Sequence, residues 1–189
     1  MCIAAGNSNK RHNMQNVGKL FEQDFQKSVP AYALLHRLND SAQAFSGSGN
    51  LRFSKKNPFD YILWNPKSLT LYALELKTVK GKSISFERSK EEQKTIHYHQ
   101  IIGLENYQKY DGLVCGFVIE FRQLERTIFI HITEFTKLMG VVNKKSFTIA
   151  DLDNFGIKYN AIPQSLKKTH YHYDVETFLN ETALHKTEV

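Results

Sequence analysis

Residues 57–77 read NPFDYILWNPKSLTLYALELK, two apolar runs separated by Asn65, Pro66 and Lys67. Aromatic and aliphatic runs on either side of an Asn-Pro turn signal predict strands, so 60–64 and 69–78 form a β-hairpin or close to it. Side chains two apart in a strand share a face. Leu74, Leu76 and either Thr78 or Val79 are then expected to face the core, leaving Ala73, Glu75 and Lys77 to line a cleft or solvent. The turn brings the two strands together, which places the Asp60 carboxylate within a single metal's reach of Glu75.

A Glu-x-Lys triplet is weak by itself, since ordinary frequencies of the two residues predict about one per chain of this size. A second one, Glu92 and Lys94, is present. It falls in a stretch read as helix, where residues two apart diverge, whereas Glu75 and Lys77 converge on one side of a strand. Two carboxylates with the backbone carbonyl near Leu76 make an oxygen-only site suited to Mg²⁺, with Mn²⁺ able to substitute. A phosphodiester repels nucleophiles; a metal there neutralises it, lowers the pKa of a bound water and holds that water in line. Lys77 positions the water or stabilises the charge of the pentacovalent transition state. The competing reading is a wet strand face that carries charge without chemistry.

Outward from the hairpin, Phe21, Phe25 and Val29 recur at helical spacing from Val17 until Pro30 ends the helix near Ser28, with Glu22 and Gln26 on a neighbouring stripe. Residues 31–38 are ambiguous in period and are read as a strand. Residues 39–57 are rich in Ser, Gly and Asn, a long loop or hairpin anchored by Phe45, Leu51 and Phe53. Ser89 and Glu92 match a capping box and predict a helix from about 90 to the stop signal Asp111-Gly112, with 97, 101, 104 and 107 on one face. A buried strand over 113–121 pairs with 126–132 across a turn. Thr133, Thr148 with Asp151, and Asp174 each open a further helix. The mixed order predicts an α/β three-layer core, a central mixed β-sheet flanked by helices.

At 189 residues the chain is expected to be one nuclease-sized domain over 17–189, burying roughly two thirds of its unfolded surface, with 1–16 a flexible basic arm and 40–57 a loop or stalk-like insertion. Cys2 and Cys115 form no disulfide framework, MCIAA is too short for the apolar region of a secretory signal, and no run approaches a membrane span. A reducing, cytoplasmic setting follows. Net charge is +6, with basic residues in small groups that include Lys10, Arg11, Lys55, Lys56, Lys80 and Lys82. Such clusters suit a polyanion such as DNA, and a solubilising surface explains them as well.

The spacing of Asp60, Glu75 and Lys77 resembles the PD-(D/E)xK (restriction-endonuclease-like) nuclease motif, with the proline displaced two positions ahead of the aspartate. GKLFEQDF (18–25), DYILWNPKSLTLYALELKTVKGKSISF (60–86), HYHQIIGLENYQKYDGLVCGFVIEF (97–121) and AIPQSLKKTHYHYDVETFL (161–179) are similar, in the same order, to the RecU family of Holliday junction resolvases. The resemblance implies a homodimer with two active sites, cutting four-way DNA junctions symmetrically. It also implies that Asp60 and Glu75 are metal ligands and Lys77 the catalytic lysine. Glu22 would be an outer ligand through water, and Gln100 would bind the nucleophilic water or the phosphate. Bacterial members carry a β stalk before the aspartate; residues 40–57 here are shorter and Ser- and Gly-rich, which points to a divergent, phage-encoded form. A nuclease of flaps or plain duplex and a non-cleaving junction binder remain as alternatives.

The pairs His97/His99 and His170/His172 lack a third ligand at useful spacing and are expected to be structural or DNA-facing, the first diverging on its helix. Tyr61, Trp64 and Tyr72 are read as sheet packing. Phe45, Leu51 and Phe53 either wedge at a branch point or fold back on the core.

Overall fold

The computed structural model describes residues 16–38, 57–90 and 92–183. Lys10, Arg11, Lys55 and Lys56, the anchors Phe45, Leu51 and Phe53, and with them the expected arm and insertion, lie outside the described residues. In chain order the elements are α1 (Val17–Ser28), β1 (Leu34–Arg37), β2 (Tyr61–Asn65), β3 (Thr70–Val79) and β4 (Ser83–Ser85), then α2 (Tyr98–Gln108), β5 (Leu113–Phe121), β6 (Arg126–His131) and α3 (Ile132–Val141). After these come β7 (Ser146–Thr148), α4 (Ile149–Asn154), β8 (Asn160–Ile162), β9 (Gln164–Lys167), β10 (His170–Tyr173) and α5 (Val175–Glu181).

Six strands form the central sheet in the order β1-β2-β3-β5-β6-β8. The β2–β3 hairpin is antiparallel, with Tyr61 opposite Leu74 and Asn65 opposite Thr70. Its turn begins with the Asn65 side chain accepting the Lys67 N–H at 3.1 Å. β3 and β5 are parallel, as a strand–helix–strand crossover through α2 requires, and β5–β6 is the expected hairpin. The α/β expectation of a mixed sheet flanked by helices therefore holds.

Helices cover both faces. Ala73, Cys115, Phe117, Ile119, Ile128 and Ile130 meet Ile101 and Leu104 of α2, Phe135 and Leu138 of α3 and Leu152 of α4. Tyr61, Leu63, Tyr72, Leu74, Leu76 and Val118 meet Phe21 and Phe25 of α1 and Phe178 and Leu179 of α5. Of the two expectations for the Ala73–Glu75–Lys77 face, a cleft or solvent, open solvent is ruled out at Ala73 and Glu75. α2 closes over it, leaving Ala73 2% and Glu75 1% exposed, and only Lys77 reaches outward.

A correction concerns α2, which starts at Tyr98 and not near residue 90. Ser85 and Glu87 hold the returning chain through Ile96, whose N–H donates to the Ser85 carbonyl at 3.0 Å and whose carbonyl accepts the Glu87 N–H at 2.9 Å. Glu92 serves a turn, accepting the Arg88 N–H at 3.2 Å and pairing with Lys145 at 2.6 Å. A local capping signature lost to tertiary pairing, and the Glu92/Lys94 triplet is not helical. The helices begun at Thr148 and Asp174 carry their expected caps.

Gly103 lets α2 lie directly on the approach to β2: a Cβ there would sit 2.5 Å from the Pro58 carbonyl oxygen and 2.9 Å from its Cα. Gly to Ala inside a helix ordinarily stabilises by about 1 kcal/mol. Here backbone stands in the way, so Gly103→Ala is expected to lose about 1–3 kcal/mol by overpacking and to lower the melting temperature. A melting temperature equal to or above that of the parent would contradict this packing.

Candidate functional site

Asp60 immediately precedes β2, and its N–H donates to the Leu74 carbonyl at 3.2 Å, extending the hairpin by one residue. Tyr61 and Leu74 turn to the α1 face, so Asp60 and Glu75 point together to the α2 face. Glu75 Oε1 accepts from Lys77 Nζ at 2.8 Å and from Gln100 Nε2. Gln100 is itself aimed: its Oε1 accepts the His97 N–H at 3.0 Å. Glu75 Oε2, by contrast, is buried with no hydrogen-bond partner among the described residues.

Asp60 bears on Glu75 both by charge and within hydrogen-bonding reach. Two carboxylates are both acceptors, so their contact demands a shared proton or a cation between them. Burial, opposed by Lys77 and reinforced by Asp60, pushes the Glu75 carboxyl up to about 8. The orphaned Oε2 is the position a cation would satisfy. The Leu76 carbonyl points to the same side as that of Leu74, along β2 and past its end, because alternate carbonyls of a strand share a direction. Among the described residues no group of three or more His, Cys, Asp and Glu side chains gathers as a metal site. The donors here are thus two carboxylates and a carbonyl, a set that fits a hard cation retaining waters and open to phosphate oxygens.

The mount of Gln100 was not visible in the sequence. Glu87, 4% exposed, accepts the N–H groups of Tyr98 at 2.7 Å and Lys94 at 3.2 Å and bonds His97 Nδ1 at 2.8 Å. Burial raises its carboxyl, but these donors outweigh burial and hold it down at about 2. An ionised Glu87 thus pins the start of α2 and, through the His97 backbone, the Gln100 amide. Because His97 precedes the helix in extended conformation, its ring stacks on that of His99, with centroids 5.5 Å apart at 17°, where divergence was expected. Neither alternation nor helical period marks Glu87, which reaches the start of α2 only through the fold, from a position well before it in the sequence.

Glu22 lies on the α1 face and is not brought into the Asp60–Glu75 pair. Its Oε2 accepts the Tyr61 hydroxyl at 3.0 Å and pairs with Arg37 Nε at 3.3 Å, while Gln26 donates to the same hydroxyl at 2.8 Å. The shared stripe of Glu22 and Gln26 thus converges on the residue next to Asp60. Burial and the Glu22 charge push the Tyr61 hydroxyl up to about 12, which keeps it a donor. Tyr61 and Tyr72 are fully buried in the sheet as expected. Lys80 and Lys82 are exposed just past β3. His170 bonds Asp24 of α1 through Nδ1 at 2.7 Å, a structural role. No helix among the described residues is long and apolar enough to cross a membrane.

No family model matches the chain. It is similar to the SPbeta prophage-derived uncharacterized protein YotM of Bacillus subtilis (strain 168), 29% identical over 170 residues that cover 82% of this chain and 83% of that protein. Among solved structures it is similar to Hjc, a Holliday junction resolvase from Archaeoglobus fulgidus. That likeness has a TM-score of 0.46 and 10% identity, and covers 72% of this chain and 91% of the other. A likeness of that degree decides nothing about fold or activity.

The electrostatics of Glu75 yield a stability test. Its folded pKa, about 8, exceeds the ordinary 4.5, so between those values the folded chain keeps a proton that the unfolded chain has lost. The corresponding stability is fully present below pH 4.5 and is lost as pH rises through 8. Without divalent metal the melting temperature is expected to fall from pH 5 to pH 8, by roughly 2–4 °C per kcal/mol of linkage. Glu75→Gln should flatten that decline, measured by calorimetry on both proteins. Parallel curves for the two would remove the assignment.

Proposed function

We propose that the chain is a divalent-metal-dependent endodeoxyribonuclease of the PD-(D/E)xK kind that resolves four-way DNA junctions as a homodimer. One observation carries the reading: Asp60 and Glu75 face each other across the β2–β3 hairpin, with Glu75 Oε2 buried and unpartnered and Lys77 on the other oxygen. A purely structural carboxylate would use both oxygens, because an unsatisfied buried acceptor costs about 1–3 kcal/mol. The ordered matches to junction resolvases over residues 18–180 supply the substrate, and the basic composition supports a polyanion.

In this reading Asp60, Glu75 and the Leu76 carbonyl hold Mg²⁺ or Mn²⁺. A divalent cation held there would supply charge neutralisation of the phosphodiester and a lowered pKa for the attacking water. The chain's own residues do the rest. Lys77 Nζ, fixed by Glu75 Oε1, stands beside the scissile phosphate and stabilises the charge that grows as water attacks phosphorus and the bond to the 3′ oxygen breaks. The products are a 5′-phosphate and a 3′-hydroxyl. Gln100 holds Glu75 in its rotamer and is in turn held by the start of α2. Glu22, which α1 places on the opposite face, takes no part in the site and with Gln26 holds the Tyr61 hydroxyl beside Asp60.

Asp60→Asn and Glu75→Gln are expected to abolish Mg²⁺-dependent cleavage of a four-way junction while leaving junction binding largely intact; full activity in both would sink the proposal. Gln100→Ala should lower the rate by about 10–100-fold, the range typical of residues that orient ligands. On equal-length duplex, flap and four-way substrates the junction should be cut fastest. Comparable rates on all three would keep the nuclease and discard the resolvase. A junction that is bound with either metal and never cut would leave a binding protein.

A further inference from the structure

β3 and β5 run parallel and end in register, Val79 beside Phe121. The residues that follow, Lys80 and Arg122, therefore emerge side by side from the end of the sheet toward which Glu75 and Lys77 lie. With Gly81, Gln123 and Tyr171 they line an open cavity of about 690 Å³. Lys80 is exposed and Arg122 half-buried, and neither forms an ion pair with a described residue. The acids nearby, Glu120 and Glu125, form no ion pair with either. Glu120 is occupied by the Thr78 hydroxyl at 2.6 Å and the Tyr173 hydroxyl at 2.9 Å, and Glu125 acts by charge on Tyr171.

The opposite wall is built to stay in place. Asp24 of α1, 3% exposed, bonds the His170 ring at 2.7 Å and accepts the Tyr171 N–H at 2.9 Å, and Ser28 Oγ accepts the Tyr173 N–H at 3.0 Å. The β9–β10 hairpin is thereby clamped to α1. It sets Tyr171 against Arg122 and leaves Lys167 and Lys168 exposed around its turn, where Lys168 has φ 62°. Unpaired cations on two walls and a fixed aromatic side chain suit a chain of phosphates better than a single small anion. Glu75 lies four residues before the end of β3 at Val79, about 13 Å at the usual rise and on the order of four base pairs of a duplex, and Lys80 follows that end.

We propose that this cleft, walled by Lys80, Arg122 and Tyr171, binds the phosphate backbone of the duplex arm that leads away from the cleavage point. The assignment rests on the DNA reading of the carboxylate site but not on cleavage, because it makes no use of the metal. Arg122 is the main contact, its planar guanidinium donating to two phosphate oxygens at once. Lys80 and the hairpin lysines extend the path.

The test is equilibrium binding of a four-way junction in EDTA across a salt series, with parent, Arg122→Ala, Arg122→Lys, Lys80→Ala, and Lys137→Ala as a control on the exposed surface of α3. Arg122→Ala and Lys80→Ala should each weaken binding several-fold and reduce the slope of log K against log salt by about one. Arg122→Lys should keep the slope, which separates a charge effect from a folding defect. Unchanged affinity and slope in the Ala variants, or an equal loss with Lys137→Ala, would overturn the proposal. So would a parent that binds no DNA, which would remove the nuclease reading too. If the parent never cleaves in metal while Arg122→Ala still loses its phosphate contact, the cleft stands and the nuclease reading falls.

Discussion

A carboxylate withdrawn from water must find donors, a proton or a cation, and the arrangement around Glu75 follows from that constraint. One oxygen is satisfied by Lys77 and Gln100, and the other is buried without a hydrogen-bond partner among the described residues. Burial of this kind is costly for the ionised form and pushes the group toward the neutral one. Such a residue is tolerated in the middle of a sheet only if the protein is held in a state that something else completes. The hairpin that sets Asp60 opposite Glu75, the helix that covers them and the glycine that lets the helix approach all serve that one contact.

The support is layered. Glu87, kept ionised by backbone donors, fixes the start of α2. The first residues of α2 then aim Gln100, and Gln100 aims Glu75. On the opposite face Glu22 and Gln26 hold the Tyr61 hydroxyl, which anchors the strand beside Asp60. The pair is therefore gripped from both sides of the sheet, as a site that must hold a ligand in fixed geometry requires. The clamp of Asp24 on β10 belongs to the same outer layer, and it gives the end of the sheet a rigid second wall.

The hairpin was legible because period two and an Asn-Pro turn are local properties, and the Asp60, Glu75 and Lys77 constellation follows from the hairpin alone. The helices begun at Thr148 and Asp174 were legible for the same reason, since a cap and its acceptor lie within one turn. What stayed hidden depends on partners distant in sequence. Whether the face of Ala73 and Glu75 lines a cleft or solvent was left open because alternation cannot report that α2 lies over it. The start of α2 was misplaced because Ser89 and Glu92 satisfy a local rule, while Glu87 and Ile96 impose a different path through bonds made only in the folded chain. Glu22 was expected toward the metal, yet α1 packs on the opposite face, and a helical stripe does not say which side of a sheet it will meet.

In the proposed function a divalent cation completes the Asp60–Glu75 pair. Anomalous diffraction from crystals of the protein equilibrated with Mn²⁺ tests it most directly. We expect one strong peak between the two carboxylates, within coordination distance of Glu75 Oε2 and on the side of the Leu76 carbonyl, and its loss in Asp60→Asn. Well-ordered carboxylates in direct contact, with no peak between them at saturating Mn²⁺, would contradict it.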